Sequence, residues 1–89
     1  MIERQVEIVN RLGLHARAAA KLVHFANTFD SRITLAKDGQ TVDAKSILGI
    51  LLLAAAQGTQ VVLRAEGEDE SAAVEGLAAL IASRFGEEK

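Results

Sequence analysis

The chain has 89 residues, 12 acidic and 10 basic for a formal charge of −2, with no Cys, no Pro and three aromatic residues, all Phe. This length supports one core of Leu, Ile, Val and Ala, so residues 1–89 are expected to form a single domain without a linker. Zero cysteine excludes thiol chemistry and cysteine-based zinc sites, and the acidic balance and scarcity of stacking aromatics argue against a nucleic-acid platform.

Ile2 to Val9 alternates, with Ile2, Val6 and Ile8 on one face against Glu3, Gln5 and Glu7, and Arg4 interrupting the apolar side. This pattern predicts a half-buried strand. Charge in Met1 to Glu7 leaves no apolar stretch for a signal peptide, so a cytoplasmic location is expected. From Ala16 to Phe29 the period becomes helical: Ala18, Leu22, Phe25 and Phe29 form an inward stripe, and Arg17, Lys21, His24 and Thr28 a solvated one. Ser31 to Lys37 alternates around Ile33 and Leu35. Asp38-Gly39 suits a two-residue hairpin turn, and Gln40 to Ala44 returns as a strand.

Ser46 precedes Ile47-Leu48-Gly49-Ile50-Leu51-Leu52-Leu53, where its hydroxyl can cap a short helix. Gly58 ends that helix or the turn after it. The apolar run from Ile47 to Ala56 is about half the roughly 20 residues of a bilayer span, so no membrane crossing is expected. Gln60 to Glu66 turns Val61, Leu63 and Ala65 inward. Glu68, Asp69 and Glu70 then open a helix whose stripe is Val74, Leu77, Ile81 and Phe85. The order βαββαβα predicts an α+β fold, an open-faced two-layer sandwich of a four-stranded antiparallel sheet with three helices on one face.

Gly13-Leu14-His15-Ala16-Arg17 puts an imidazole where a strand hands over to a helix, beside backbone N–H groups without intrahelical acceptors. A phosphoryl group on that imidazole would meet those amides and the positive helix end. Arg17 can swing its guanidinium to the phosphoryl oxygens, and Gly13 gives the loop freedom to approach. On the residues alone, a structural or merely exposed histidine fits as well, with Arg17 one more member of the solvated stripe. No second acid, base or metal-ligand cluster stands nearby in sequence, which suits a carrier better than a hydrolase or metalloenzyme.

The segment Gly13 to Arg17, followed by Ala19-Ala20-Lys21-Leu22-Val23, resembles the active-site region of HPr, the histidine-containing phosphocarrier family of the bacterial phosphoenolpyruvate-dependent phosphotransferase system. The likeness continues in Lys45-Ser46-Ile47-Leu48-Gly49, Gln57-Gly58-Thr59 and Ala65-Glu66-Gly67-Glu68-Asp69-Glu70, in matching order over nearly the whole chain. The resemblance implies a phosphocarrier rather than an enzyme, with no cofactor and no metal. It implies that His15 takes a phosphoryl group on Nδ1 from enzyme I and passes it to enzyme IIA domains, in sugar uptake and carbon regulation. Arg17 would steady the phosphoryl group, with the amides of Ala16 and Arg17 as backbone donors. Ala18 departs from the family, where most members have proline.

Ser46 is by its position an ordinary N-cap. Its flanks nevertheless resemble the segment that a dedicated HPr kinase/phosphorylase modifies in many members of the family, which would make Ser46 a regulatory site and that kinase a partner. The helix after Ser46 is apolar all round, more than burial on one face requires, so an exposed docking surface is expected. By resemblance, Ile47, Leu48 and Leu51 would meet enzyme I and enzyme IIA, with the protein a monomer. His24 has no assigned role, and Lys21 is solvated or steers an acidic partner. Two other readings stay open: a nitrogen-branch regulatory phosphocarrier, which Asn10-Arg11-Leu12 resembles, and a domain that binds an anionic effector without covalent chemistry.

Overall fold

In the computed structural model, which describes residues 1–87, the elements are β1 (Ile2–Glu7), α1 (Ala16–Ala26), β2 (Arg32–Lys37), β3 (Gln40–Asp43), α2 (Ile47–Leu53), β4 (Gln60–Glu66) and α3 (Glu70–Ala82). A 3-10 turn at Arg84–Gly86 follows. The strands form one antiparallel sheet in the order β1-β4-β2-β3, and three helices cover one face, giving the expected open-faced α+β sandwich.

Alternation in the strands decides which face is covered. Ile33, Leu35, Val61, Leu63 and Ala65 are fully buried beneath the helices. Their neighbours Arg32, Arg64 and Glu66 stay exposed on the open face, where Arg64 pairs with its cross-strand neighbour Glu3. Leu22 of α1, Ile50 and Leu53 of α2, and Val74, Leu77 and Ile81 of α3 complete the core. Each fully buried side chain of this kind contributes about 1.5–3 kcal/mol. Asp38-Gly39 makes the β2–β3 turn with both residues at positive φ, as the sequence predicts.

Several expectations are corrected. The first helix stops at Ala26, three residues before Phe29, because the Asn27 amide turns back to the Val23 carbonyl at 2.8 Å and also reaches the Lys45 carbonyl. Its buried face is Ala18, Ala19, Leu22 and Ala26, whereas Phe25 and Phe29 lie partly buried at its margin as an edge-to-face pair 5.2 Å apart. Helix α2 closes on its C-cap Ala54, left-handed at φ 52°, and of the two roles open to Gly58 it takes the following turn, donating its N–H to the Ile8 carbonyl. Asp69 stands at the N-cap position of α3 without making a side-chain cap hydrogen bond. Its carboxylate instead accepts the Asp30 and Ser31 amides and the Ser31 hydroxyl. Phe85 is buried as expected, but from the 3-10 turn beyond the helix. Arg4, which interrupts the apolar side of β1, reaches Glu75 of α3 at 3.4 Å.

Candidate functional site at the start of the first helix

The loop between β1 and α1 is fastened at three points. The buried Asn10 amide donates to the Gly13 carbonyl at 2.7 Å, and the Gly13 N–H returns to the Asn10 carbonyl. The Leu14 N–H donates to the Ala55 carbonyl at 2.9 Å, tying the loop to the end of α2. Gly13 has φ +67°, and a Cβ there would lie 2.6 Å from the Ala55 oxygen, so close approach as well as positive φ demands glycine. The Leu14 side chain is buried, which fixes the next residue, His15, at the mouth of α1.

His15 occupies the N-cap position, with extended backbone and its side chain in the role that Ser or Asp usually fills. Its Nδ1 accepts the Arg17 N–H at 3.3 Å, while Nε2 lies 2.6 Å from Oε2 of Glu87. A carboxylate can only accept, so Nε2 donates. The two contacts therefore agree on one neutral tautomer, with the proton on Nε2 and the lone pair of Nδ1 aimed at the helix start. The ring is a little over a quarter exposed, at 28 %, and open to a partner.

Glu87 also accepts the Asn10 amide through Oε1 at 3.1 Å. The His15 hydrogen bond, above all, holds its carboxyl below the usual carboxylate range, opposed by partial desolvation and reinforced by Asn10. Flipping the Asn10 amide would set an oxygen against two acceptors, so its orientation is determined. Its Oδ1 is the buried side-chain oxygen left without a partner among the described residues.

Arg17 is exposed, and its guanidinium has no hydrogen bond or ion pair with another described residue. Ala16 and Arg17 are the first two residues of α1, and the first intrahelical bond runs from the Ala19 N–H to the His15 carbonyl. The Ala18 N–H thus belongs to the first turn, where no intrahelical acceptor exists. Proline, which has no N–H, would therefore forfeit no intrahelical bond at this position, and alanine gains none.

Ser46 is the N-cap of α2, its hydroxyl accepting the Gly49 N–H at 3.2 Å. Behind it α2 buries Ile50 and Leu53 and exposes Ile47, Leu48, Leu51 and Leu52, by 64 % at Leu48. The Leu14–Ala55 hydrogen bond joins this apolar face to the histidine loop. Asn10 and Glu87 were not among the residues expected at the site. Lys21 corrects another expectation: its ammonium is not merely solvated but donates to the Phe85 carbonyl at 2.7 Å. His24 stays exposed. Among the described residues no cluster of three His, Asp or Glu is placed to hold a metal ion, and no helix is long and apolar enough to cross a membrane.

Residues 2–83 match the family model described as "PTS HPr component phosphorylation site". The phosphocarrier protein HPr of Cupriavidus necator is 51% identical over 87 residues, 98% of each chain. The phosphocarrier protein NPr of Shewanella violacea is 43% identical, covering 97% of this chain and 94% of that one. In structure, the chain is similar to the crystal structure of HPr from Thermoanaerobacter tengcongensis, with a TM-score of 0.97, 50% identity and full coverage of both chains. A fold, a motif order and a sequence likeness that coincide over nearly the entire length leave one assignment: this chain belongs to the HPr family of phosphocarrier proteins of the phosphotransferase system.

Proposed function

We propose that His15 is the phosphoryl acceptor of this carrier, taking the group on Nδ1 from enzyme I and delivering it to enzyme IIA domains. The observation that carries the reading is the direction of the Nδ1 lone pair. It faces the first-turn amides of α1, so a phosphoryl group bonded there enters the positive end of the helix and exchanges the Arg17 N–H···Nδ1 bond for one to a phosphoryl oxygen. Attack makes the P–N bond as the bond to the donor breaks, and onward transfer reverses this. Arg17 supplies the mobile cation for the phosphoryl oxygens, and the amides of Ala16 and Arg17 are the fixed donors.

Docking follows from the same surface. Ile47, Leu48 and Leu51 form an exposed apolar face joined to the histidine loop, suited to enzyme I and enzyme IIA in turn. Ser46 heads this face, so a phosphate placed on it by an HPr kinase/phosphorylase would add charge where partners dock. Residues 1–89 act as one cytoplasmic, monomeric carrier domain in this reading, of which residues 88 and 89 lie outside the described structure. Measured transfer from the phosphorylated protein to sugar-type and nitrogen-type enzyme IIA domains tests the relay. Delivery to at least one is expected, and failure with both would overturn it.

A further inference from the structure

We propose that Glu87 is a positioning residue that selects Nδ1 over Nε2 of His15 as the phosphorylated atom, a proposal that rests on His15 being the acceptor. An imidazole has two nitrogens of similar basicity, and nothing in the ring itself directs phosphorylation to the one beside the helix. In this protein Nε2 is engaged by the Glu87 carboxylate at 2.6 Å. That contact does two things. It keeps the ring proton on Nε2, so the only unprotonated ring nitrogen is Nδ1, and it places negative charge where a phosphoryl dianion approaching Nε2 would have to stand.

The segment that carries Glu87 is built for this placement. Arg84, Phe85 and Gly86 have φ of 60°, 56° and 77°, a run of left-handed residues that turns the chain sharply after α3. For the two that are not glycine, this conformation is strained and persists only where surroundings impose it. Four contacts do so: the Phe85 side chain is buried, Lys21 of α1 holds the Phe85 carbonyl, the Glu87 N–H returns to the Arg84 carbonyl at 2.9 Å, and Asn10 holds Oε1. Asn10 thereby fastens both the loop before His15 and the carboxylate behind it. Both ring nitrogens are thus addressed by fixed groups from opposite ends of the chain.

A small phosphoryl donor that imposes no geometry of its own isolates the effect. With phosphoramidate, the ring nitrogen bonds to phosphorus as the donor's P–N bond breaks and ammonia leaves. Phosphorus and nitrogen NMR then distinguish the Nδ1 and Nε2 products at each histidine. The full chain is expected to give the Nδ1 product alone at His15. Glu87→Ala is expected to lose that selectivity and give both products. Glu87→Gln, whose amide oxygen still accepts from Nε2, is expected to retain it. His24, exposed on the same helix, is the internal control in every sample. A dispersed amide spectrum of Glu87→Ala establishes that the loss does not come from unfolding. An Nδ1-only product in folded Glu87→Ala would overturn the role of Glu87 alone. Absence of phosphohistidine from the unaltered protein given enzyme I and phosphoenolpyruvate would instead overturn the acceptor reading beneath it.

Discussion

Replacing Gly13 by alanine probes the joint between α2 and the histidine loop. At φ +67° a new Cβ would lie 2.6 Å from the Ala55 oxygen and 2.9 Å from Ala56 Cα, both backbone atoms that cannot swing away. Two costs add: about 1–2 kcal/mol for a left-handed L-residue and roughly 1–3 kcal/mol for overpacking, for a total of about 2–5 kcal/mol. Gly39→Ala separates them. That residue has φ +80° but nothing within 4 Å of the added atom, so only the first cost applies, about 1–2 kcal/mol. Urea unfolding of both variants measures the difference, provided the slope with denaturant is unchanged. Because Leu14 bonds to Ala55 and precedes His15, Gly13→Ala is also expected to slow phosphoryl acceptance, whereas Gly39→Ala leaves it intact. Equal losses in the two variants, within about 0.5 kcal/mol, would refute the steric reasoning.

Ser46→Ala removes the hydroxyl that accepts the Gly49 N–H, and thermal or urea melts are expected to record a loss of about 1 kcal/mol. If Ser46 is the site proposed for an HPr kinase/phosphorylase, incorporation of phosphate by that kinase should vanish with it. Asp69 has its carboxyl held below the ordinary value, first by the Ser31 hydroxyl and then by the Asp30 amide. A depressed value in the folded protein means that the contribution is complete above the ordinary carboxylate range and is lost as pH falls through the lower folded value. Asp69→Asn should therefore flatten the acid limb of a stability-versus-pH curve, and an unchanged limb would count against this assignment. Leu48→Ser, at a site 64 % exposed, is expected to change stability by less than about 0.5 kcal/mol while raising the KM for enzyme I. A normal KM would remove Leu48 from the docking face.

What could be read from the sequence was what is local. Strand alternation in β2 and β4, the Asp38-Gly39 turn and the Ser46 cap each depend on a few adjacent residues, and the structure has them as expected. Gly13, His15 and Arg17 stood out because they lie within five residues. Most of the misses involve partners distant in sequence. Asp69 reads from the sequence only as negative charge at the start of its helix, whereas its carboxylate accepts from the loop amides of Asp30 and Ser31, 39 and 38 residues away. Ala19 and Ala26 were passed over in the buried stripe since alanine carries little hydropathy signal, while Phe29 lies beyond the helix end that Asn27 sets. Ala54, an alanine in a left-handed stop, carries no local sign of it. Glu87 lies 72 residues from His15, and no periodicity or motif connects them. Only the turn at 84–86, with Lys21 and Asn10 as its anchors, brings the carboxylate to the ring.

Phosphoryl transfer is proposed to pass through the imidazole of His15. This route is tested most directly by incubating the protein and its His15→Ala variant with phosphoenolpyruvate and enzyme I, and counting phosphates on the intact chains by mass. One phosphate per unaltered chain is expected, lost in acid and kept in base, with none on the variant. Equal labelling of His15→Ala would contradict the claim.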